Sequence, residues 1–109
     1  MANELNPNPE DRIVCVKVGK YKRENMYEMA RKYWKVRYER ASRATHVLAI
    51  VNGIVEAVYI PKVWFLTKNL QYEGRYEFAG VEDFDSPYLG KSVVELYGRS
   101  QNPVKYINL

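Results

Sequence analysis

One cysteine and one histidine are all that 109 residues contain of either type, and those two scarcities remove whole classes of chemistry. Cys15 has no partner for an internal disulfide, and one Cys with one His cannot assemble a zinc site from those ligands. Cys15 lies in the run IVCVKV and reads as a small buried hydrophobe. His46 opens an apolar run, where a lone histidine is more often structural than a general base. No Gly-rich phosphate cradle and no Gly-x-Ser-x-Gly elbow occurs, and internal repeats and low-complexity segments are absent. No apolar run approaches the roughly 20 residues of a membrane-spanning helix. The start, MANELNPNPEDR, is acidic and polar rather than leader-like, so the expected compartment is the cytoplasm and no membrane partner is expected.

What is present is charge, tyrosine and a hairpin. The formal charge is +4, but it is unevenly spread. Arg12 to Arg43 holds eleven Lys or Arg against three Glu, while the first eleven residues are net −3 and everything after Arg43 is net −1. The positive field therefore belongs to one third of the chain, and a basic region of this kind attracts polyanions, nucleic acid above all. Ten tyrosines lift the aromatic content to 14%, which suits cores near a surface and binding faces alike.

The clearest structural signal is HVLAIVNGIVEAVYI, residues 46–60, two β-branched runs joined by Asn52-Gly53. Both positions of such a tight turn need φ > 0, which Asn and Gly tolerate. Ile13 to Val18 reads as an earlier strand ended by Gly19. From about Glu24 to Val36 the spacing of Met26, Met29, Ala30 and Tyr33 predicts a helix with its basic residues in solvent. Lys35 to Ala44 shows no clean period and reads as a connection. Pro61 is expected to close the second hairpin strand, leaving Trp64 as a core plug or one wall of a pocket. Arg75 to Ala79 alternates as a half-buried strand, Asp85-Ser86-Pro87 suits a short helical turn, Ser92 to Tyr97 suits a strand or a helix end, and Val104 to Ile107 a last strand. Residues 1–11, rich in Pro and Asn, are expected to hang loose before a single domain spanning 12–109. Five or six short strands with one main helix after the first strand indicate an α+β domain built on a small, bent antiparallel or mixed barrel.

Binding chemistry has more support than catalysis. Between Tyr21 and Tyr38 the aromatics Tyr27, Tyr33 and Trp34 alternate with Arg31, Lys32, Lys35 and Arg37. Cations of this kind hold phosphates while aromatic faces stack on bases, worth roughly 1–3 kcal/mol per base. The same residues also serve a soluble basic helix over a core. The turn Ser100-Gln101-Asn102 before Pro103 carries side chains suited to base edges, although a turn requires them for local reasons too. Glu82, Asp83 and Asp85 lack the alternation of a calcium loop, so neither a metal nor a cofactor is expected.

The succession Trp34-x-Val36, Arg40, residues 47–55, Val58-Tyr59-Ile60 and Trp64 resembles a segment of uncharacterised bacterial, archaeal and phage proteins, some carrying it beside a GIY-YIG nuclease domain. Arg75-Tyr76-Glu77-Phe78-x-Gly80 and Ser100-Gln101-Asn102-Pro103-Val104-x-Tyr106 fit the same group. The resemblance spans about residues 13–108 and implies a PUA-like fold, the small barrel of PUA, ASCH and EVE domains, whose members tend to bind RNA or modified bases. It implies a pocket formed by Trp34, Arg40, Trp64 and the 100–102 turn. No Gly-Ile-Tyr string is present, so only the accessory module is represented. The expected function is a non-catalytic module binding RNA or single-stranded DNA, modified bases included, with phosphate contacts at Lys35, Arg37, Arg40 and Arg43 and stacking on Trp34 or Trp64. The alternatives are a protein-interaction domain of a phage or restriction system and a small hydrolase in which two or more of Glu77, Glu82, Asp83 and Asp85 would cluster with His46 in one cleft.

Overall fold

β-branched residues fill Ile13–Lys17, and that segment forms the central strand β1 of a computed structural model describing residues 3–19, 25–98 and 102–109. Its alternate side chains enter two cores: Val14 and Val16 one, Ile13 and Cys15 the other. Burial on both faces explains why the run is continuously apolar instead of alternating.

β2 (His46–Val51) lies parallel to β1, so the chain between them must cross over. That crossover carries α1 (Met26–Arg31) and α2 (Tyr38–Ala41). Asn25 caps α1 by accepting from the Glu28 N–H at 2.9 Å. The small residues Ala30 and Ala41 are the fully buried ones in these helices and let both approach the sheet closely. The helix expected over residues 24–36 is thus only six residues long where described. It stops because Lys32 turns extended and Trp34 pairs instead with the backbone of Tyr76. The stretch expected as plain connection contains α2.

The Asn52-Gly53 turn forms as expected, with φ of 51° and 77°, and leads into β3 (Ile54–Leu66). β3 does not end at Pro61. A register shift between Pro61 and Val63 absorbs the residue that lacks an N–H, and Gly80 lies opposite it on β4 (Tyr76–Glu82). Trp64 therefore sits inside the strand. After turns around Asp85 to Gly90, which are not helical, α3 (Val94–Tyr97) settles the second half of the Ser92 to Tyr97 stretch as helix. β5 (Val104–Ile107) pairs antiparallel with β1.

The strand order is β4-β3-β2-β1-β5, an α+β arrangement around a mixed sheet. The expected barrel is not closed: β4 and β5 remain edges. Both edge strands contribute to one face: Phe78 of β4 and Val104 of β5 join Val14, Tyr59 and Trp64 in one core. Residues 3–11 do not hang loose. Leu5 is 5% exposed in the second core, its N–H donates to the Ser92 carbonyl at 2.7 Å, and the Tyr88 hydroxyl accepts from the Asn8 N–H and donates to Asp11. Among the described residues no helix is long and apolar enough to cross a membrane.

Candidate functional site

Residues 32–37 leave α1 in extended form and run from one edge of the sheet to the other. On the β4 side, the Trp34 N–H donates to the Tyr76 carbonyl at 2.9 Å and the Tyr76 N–H returns a bond to Trp34 at 2.8 Å. On the β5 side, the Tyr106 hydroxyl accepts from the Arg37 N–H at 2.8 Å. A cleft of about 470 Å³ opens along this crossing, walled by Tyr33, Trp34, Lys35 and Arg75 from one direction and by Asn102, Pro103 and Val104 from the other. Three of the residues expected from sequence, Trp34, Lys35 and Asn102, meet here.

Their chemistry is constrained by what they already bond. The Trp34 indole N–H donates to the Ala30 carbonyl at 2.8 Å, so its ring offers a face or edge but no donor. Tyr33 stacks on Tyr72 with centroids 4.3 Å apart and planes 8° from parallel, and its hydroxyl accepts from the Asn69 amide. The Arg75 guanidinium reaches the Tyr33 carbonyl at 3.4 Å and lies 5.8 Å from the Tyr72 ring centroid. Asn102 accepts from the Val104 N–H at 3.1 Å, a local turn bond that fixes its side chain at the start of β5. Lys35 is exposed, and no carboxylate lies within ion-pairing distance of it among the described residues.

The remaining candidates divide. Arg40 does not line the cleft, but its guanidinium stands 5.3 Å from the Tyr106 ring, and Tyr106 follows Val104 on the same face of β5. Arg37 is exposed beside it, so both extend the cationic rim. Arg43 is held elsewhere, donating to the Glu39 carbonyl while its own carbonyl accepts from Arg12. Trp64 is a core residue, 3% exposed and 5.1 Å from the Phe78 ring, and it does not converge with Trp34 and Arg40 on one cavity. Its indole N–H, like the Tyr59 hydroxyl, is buried without a hydrogen-bond partner. Ser100 and Gln101 lie outside the described residues. Tyr33 belongs to the interleaved aromatic and basic run read from sequence, whereas Arg75 carries no such signal, because it fits the polar phase of a strand. The pairing of Trp34 with Tyr76 is what sets Tyr33 beside Arg75.

The groups a hydrolase would need are dispersed. Glu77 accepts from Arg31 and from the Thr67 hydroxyl, each at 2.8 Å, whereas His46 bonds Thr45 and meets Tyr88 edge-on. Among the described residues no three His, Cys, Asp or Glu side chains are grouped to hold a metal. Burial pushes the Cys15 thiol up to about 12, far from the range of a reactive thiolate.

Comparison of the chain with protein-family models, with curated proteins and with solved structures finds no match.

Proposed function

We propose that this chain is a non-catalytic nucleic-acid binding module that holds RNA or single-stranded DNA, including strands with a modified base, along the cleft between β4 and β5. The observation that carries the reading is the meeting of Trp34 and Tyr33 with Lys35 and Arg75 on one cavity, continued by Arg37 and Arg40. Aromatic faces take bases, and cations without carboxylate partners take phosphates. A PUA-like fold is part of this proposal, supported by the mixed five-stranded sheet and by the shared core of its two edge strands.

Fluorescence anisotropy of a short labelled oligonucleotide tests it. Four rim cations, Lys35, Arg37, Arg40 and Arg75, give log K against log salt a slope of about −3, at about −0.7 per neutralised phosphate of a single strand. Removing Lys35 or Arg75 as alanine flattens the slope by about 0.7. Trp34→Phe, which keeps a core ring but narrows the stacking face, weakens binding without changing the slope. Failure to bind any RNA or single-stranded DNA at low salt overturns the proposal.

A second reading, a protein-interaction module of a phage or restriction system, draws on the exposed apolar side chains Val63, Val81 and Phe84 on and just beyond the β3 and β4 pair. Concentration-dependent association with indifference to oligonucleotides favours it.

A further inference from the structure

Eight asparagines are spread along the chain, and Asn52 is the one followed by glycine. That succession matters chemically, because a backbone nitrogen can attack the side-chain amide of the residue before it. The bond formed joins the Gly53 nitrogen to Asn52 Cγ, and the bond broken is Cγ–Nδ2. The proton shed by the Gly53 nitrogen leaves with the side-chain NH2 as ammonia. Water then opens the five-membered imide at either carbonyl and gives aspartate or isoaspartate. Asn6, Asn8 and Asn102 precede proline, whose nitrogen has no proton to shed, and Asn3, Asn25, Asn69 and Asn108 precede Glu, Met or Leu, whose side chains crowd the attacking nitrogen.

The fold leaves both reacting groups free. Asn52 is exposed, and its side-chain amide makes no hydrogen bond among the described residues. Asn52 and Gly53 are the two central positions of the turn between the paired residues Val51 and Ile54, so the Gly53 N–H serves no ladder bond. Glycine is also what the position demands: its φ is 77°, and a Cβ there would lie 2.9 Å from Val94 Cγ2. A larger residue, which would slow the attack, is thus disfavoured both by the backbone and by the packing of α3.

The same turn holds part of the cover of the second core. The Gly53 carbonyl accepts from the Val93 N–H at 2.8 Å, the Val55 N–H donates to the Lys91 carbonyl, and the Val55 carbonyl accepts from the Gly90 N–H, the last two at 2.9 Å. Ser92, within that stretch, accepts from the Leu5 N–H. An isoaspartate at position 52 routes the main chain through the side chain and lengthens it by one carbon. A two-residue turn has no slack to absorb that carbon, so the Gly53 carbonyl is carried away from the buried Val93.

We infer that Asn52 is a self-modification site. With water as the only co-reactant it converts to aspartate and isoaspartate in the folded protein, and the isoaspartyl form releases α3 from the hairpin turn. This chemistry is independent of the nucleic-acid reading.

Incubation of the full chain in mildly alkaline buffer, followed by trypsin digestion and mass spectrometry, tests the inference. Trypsin yields residues 44–62 as one peptide in which Asn52 is the only side-chain amide. Native protein is expected to gain one dalton on this peptide, and an isoaspartyl methyltransferase is expected to methylate it. Asn52→Gln, whose longer side chain would have to close a six-membered ring, keeps its mass. In the converted protein the Val93 amide exchanges with deuterium about tenfold faster, the scale of one lost hydrogen bond. Asn52→Asp adds the charge without the extra backbone carbon and leaves that exchange as in the unmodified chain. Native protein whose peptide 44–62 keeps its mass, conversion that leaves Val93 exchange unchanged, or equal acceleration by Asn52→Asp overturns the inference.

Discussion

Gly80→Ala separates two effects of opposite sign. Gly80 does not have a positive φ, so alanine fits its backbone and, through the unfolded chain alone, would stabilise the protein by about 0.4–1 kcal/mol. Against this, a Cβ at position 80 would lie 2.2 Å from the Ile60 carbonyl oxygen and 2.9 Å from the Pro61 Cα. Both contacts are with backbone, so no side chain can swing away. Relief requires β4 to move off β3 by about 0.8 Å to reach the 3.0 Å below which Cβ contacts essentially do not occur. That movement stretches the neighbouring β3–β4 ladder, at about 1 kcal/mol per bond, and presses the Gly80 N–H against the Tyr27 hydroxyl, now 3.0 Å away. It also disturbs the fully buried Phe78. The expected net loss is about 2–3 kcal/mol. Urea unfolding followed by tryptophan fluorescence reads it as a midpoint lowered by about 1–2 M, given a slope of about 1–3 kcal/mol/M. A midpoint that is unchanged or raised refutes the close approach of the two strands at the bulge.

Arg31→Met leaves Glu77 buried with only the Thr67 hydroxyl; both side chains are partly shielded, 18% and 12% exposed, so a loss of about 3 kcal/mol is expected. Adding Glu77→Leu should restore most of it in the same urea assay, and a double variant no more stable than the single contradicts the assignment. Burial raises the Cys15 thiol from 9.0 to about 12 and also pushes the Tyr59 and Tyr97 hydroxyls above their usual range. The unfolded chain releases these protons first, so stability is full at neutral pH and falls as pH climbs above about 9. Urea midpoints from pH 7 to pH 11 check the slope, and Ellman's reagent should leave folded Cys15 unmodified at pH 8 while reacting at once in denaturant.

Most of the strand framework was legible because it depends on local chemistry. The Asn52-Gly53 turn, the β1 run and the last strand each carry their own signal in neighbouring residues. Pro61 misled because its missing N–H forbids a regular ladder bond, but whether a strand stops or bulges there depends on the residue opposite, and Gly80 is nineteen positions away. Helix α1 ended early for the same kind of reason. Tyr33 and Trp34 continue the apolar spacing of a helix, yet Trp34 pairs with Tyr76, a choice made by tertiary structure. At the site, the interleaving of aromatic and basic residues was visible from 33 to 40. The contribution of Arg75 was not, since nothing near it in sequence points to Trp34. Trp64 had two readings, and burial in the middle of a long strand selects the core one. Leu5 shows how one apolar residue in a polar segment can anchor that segment against a distant strand.

The crossing at residues 32–37 also bears on how the domain avoids its own kind. Unpaired strand edges are templates for further strands, and β4 has its outward positions occupied at both ends, by the backbone of Trp34 and by the hydroxyl of Tyr27 at Gly80. These bonds join residues far apart in the chain, and a fluctuation that unseats residues 32–37 breaks the pair between Trp34 and Tyr76 and bares that end of the edge. The same stretch that walls the cleft is therefore the latch on the sheet. Any ligand that grips Trp34 and Lys35 holds the latch shut, and hydrogen exchange at Tyr76 would slow on binding while the central strands, protected already, would not change.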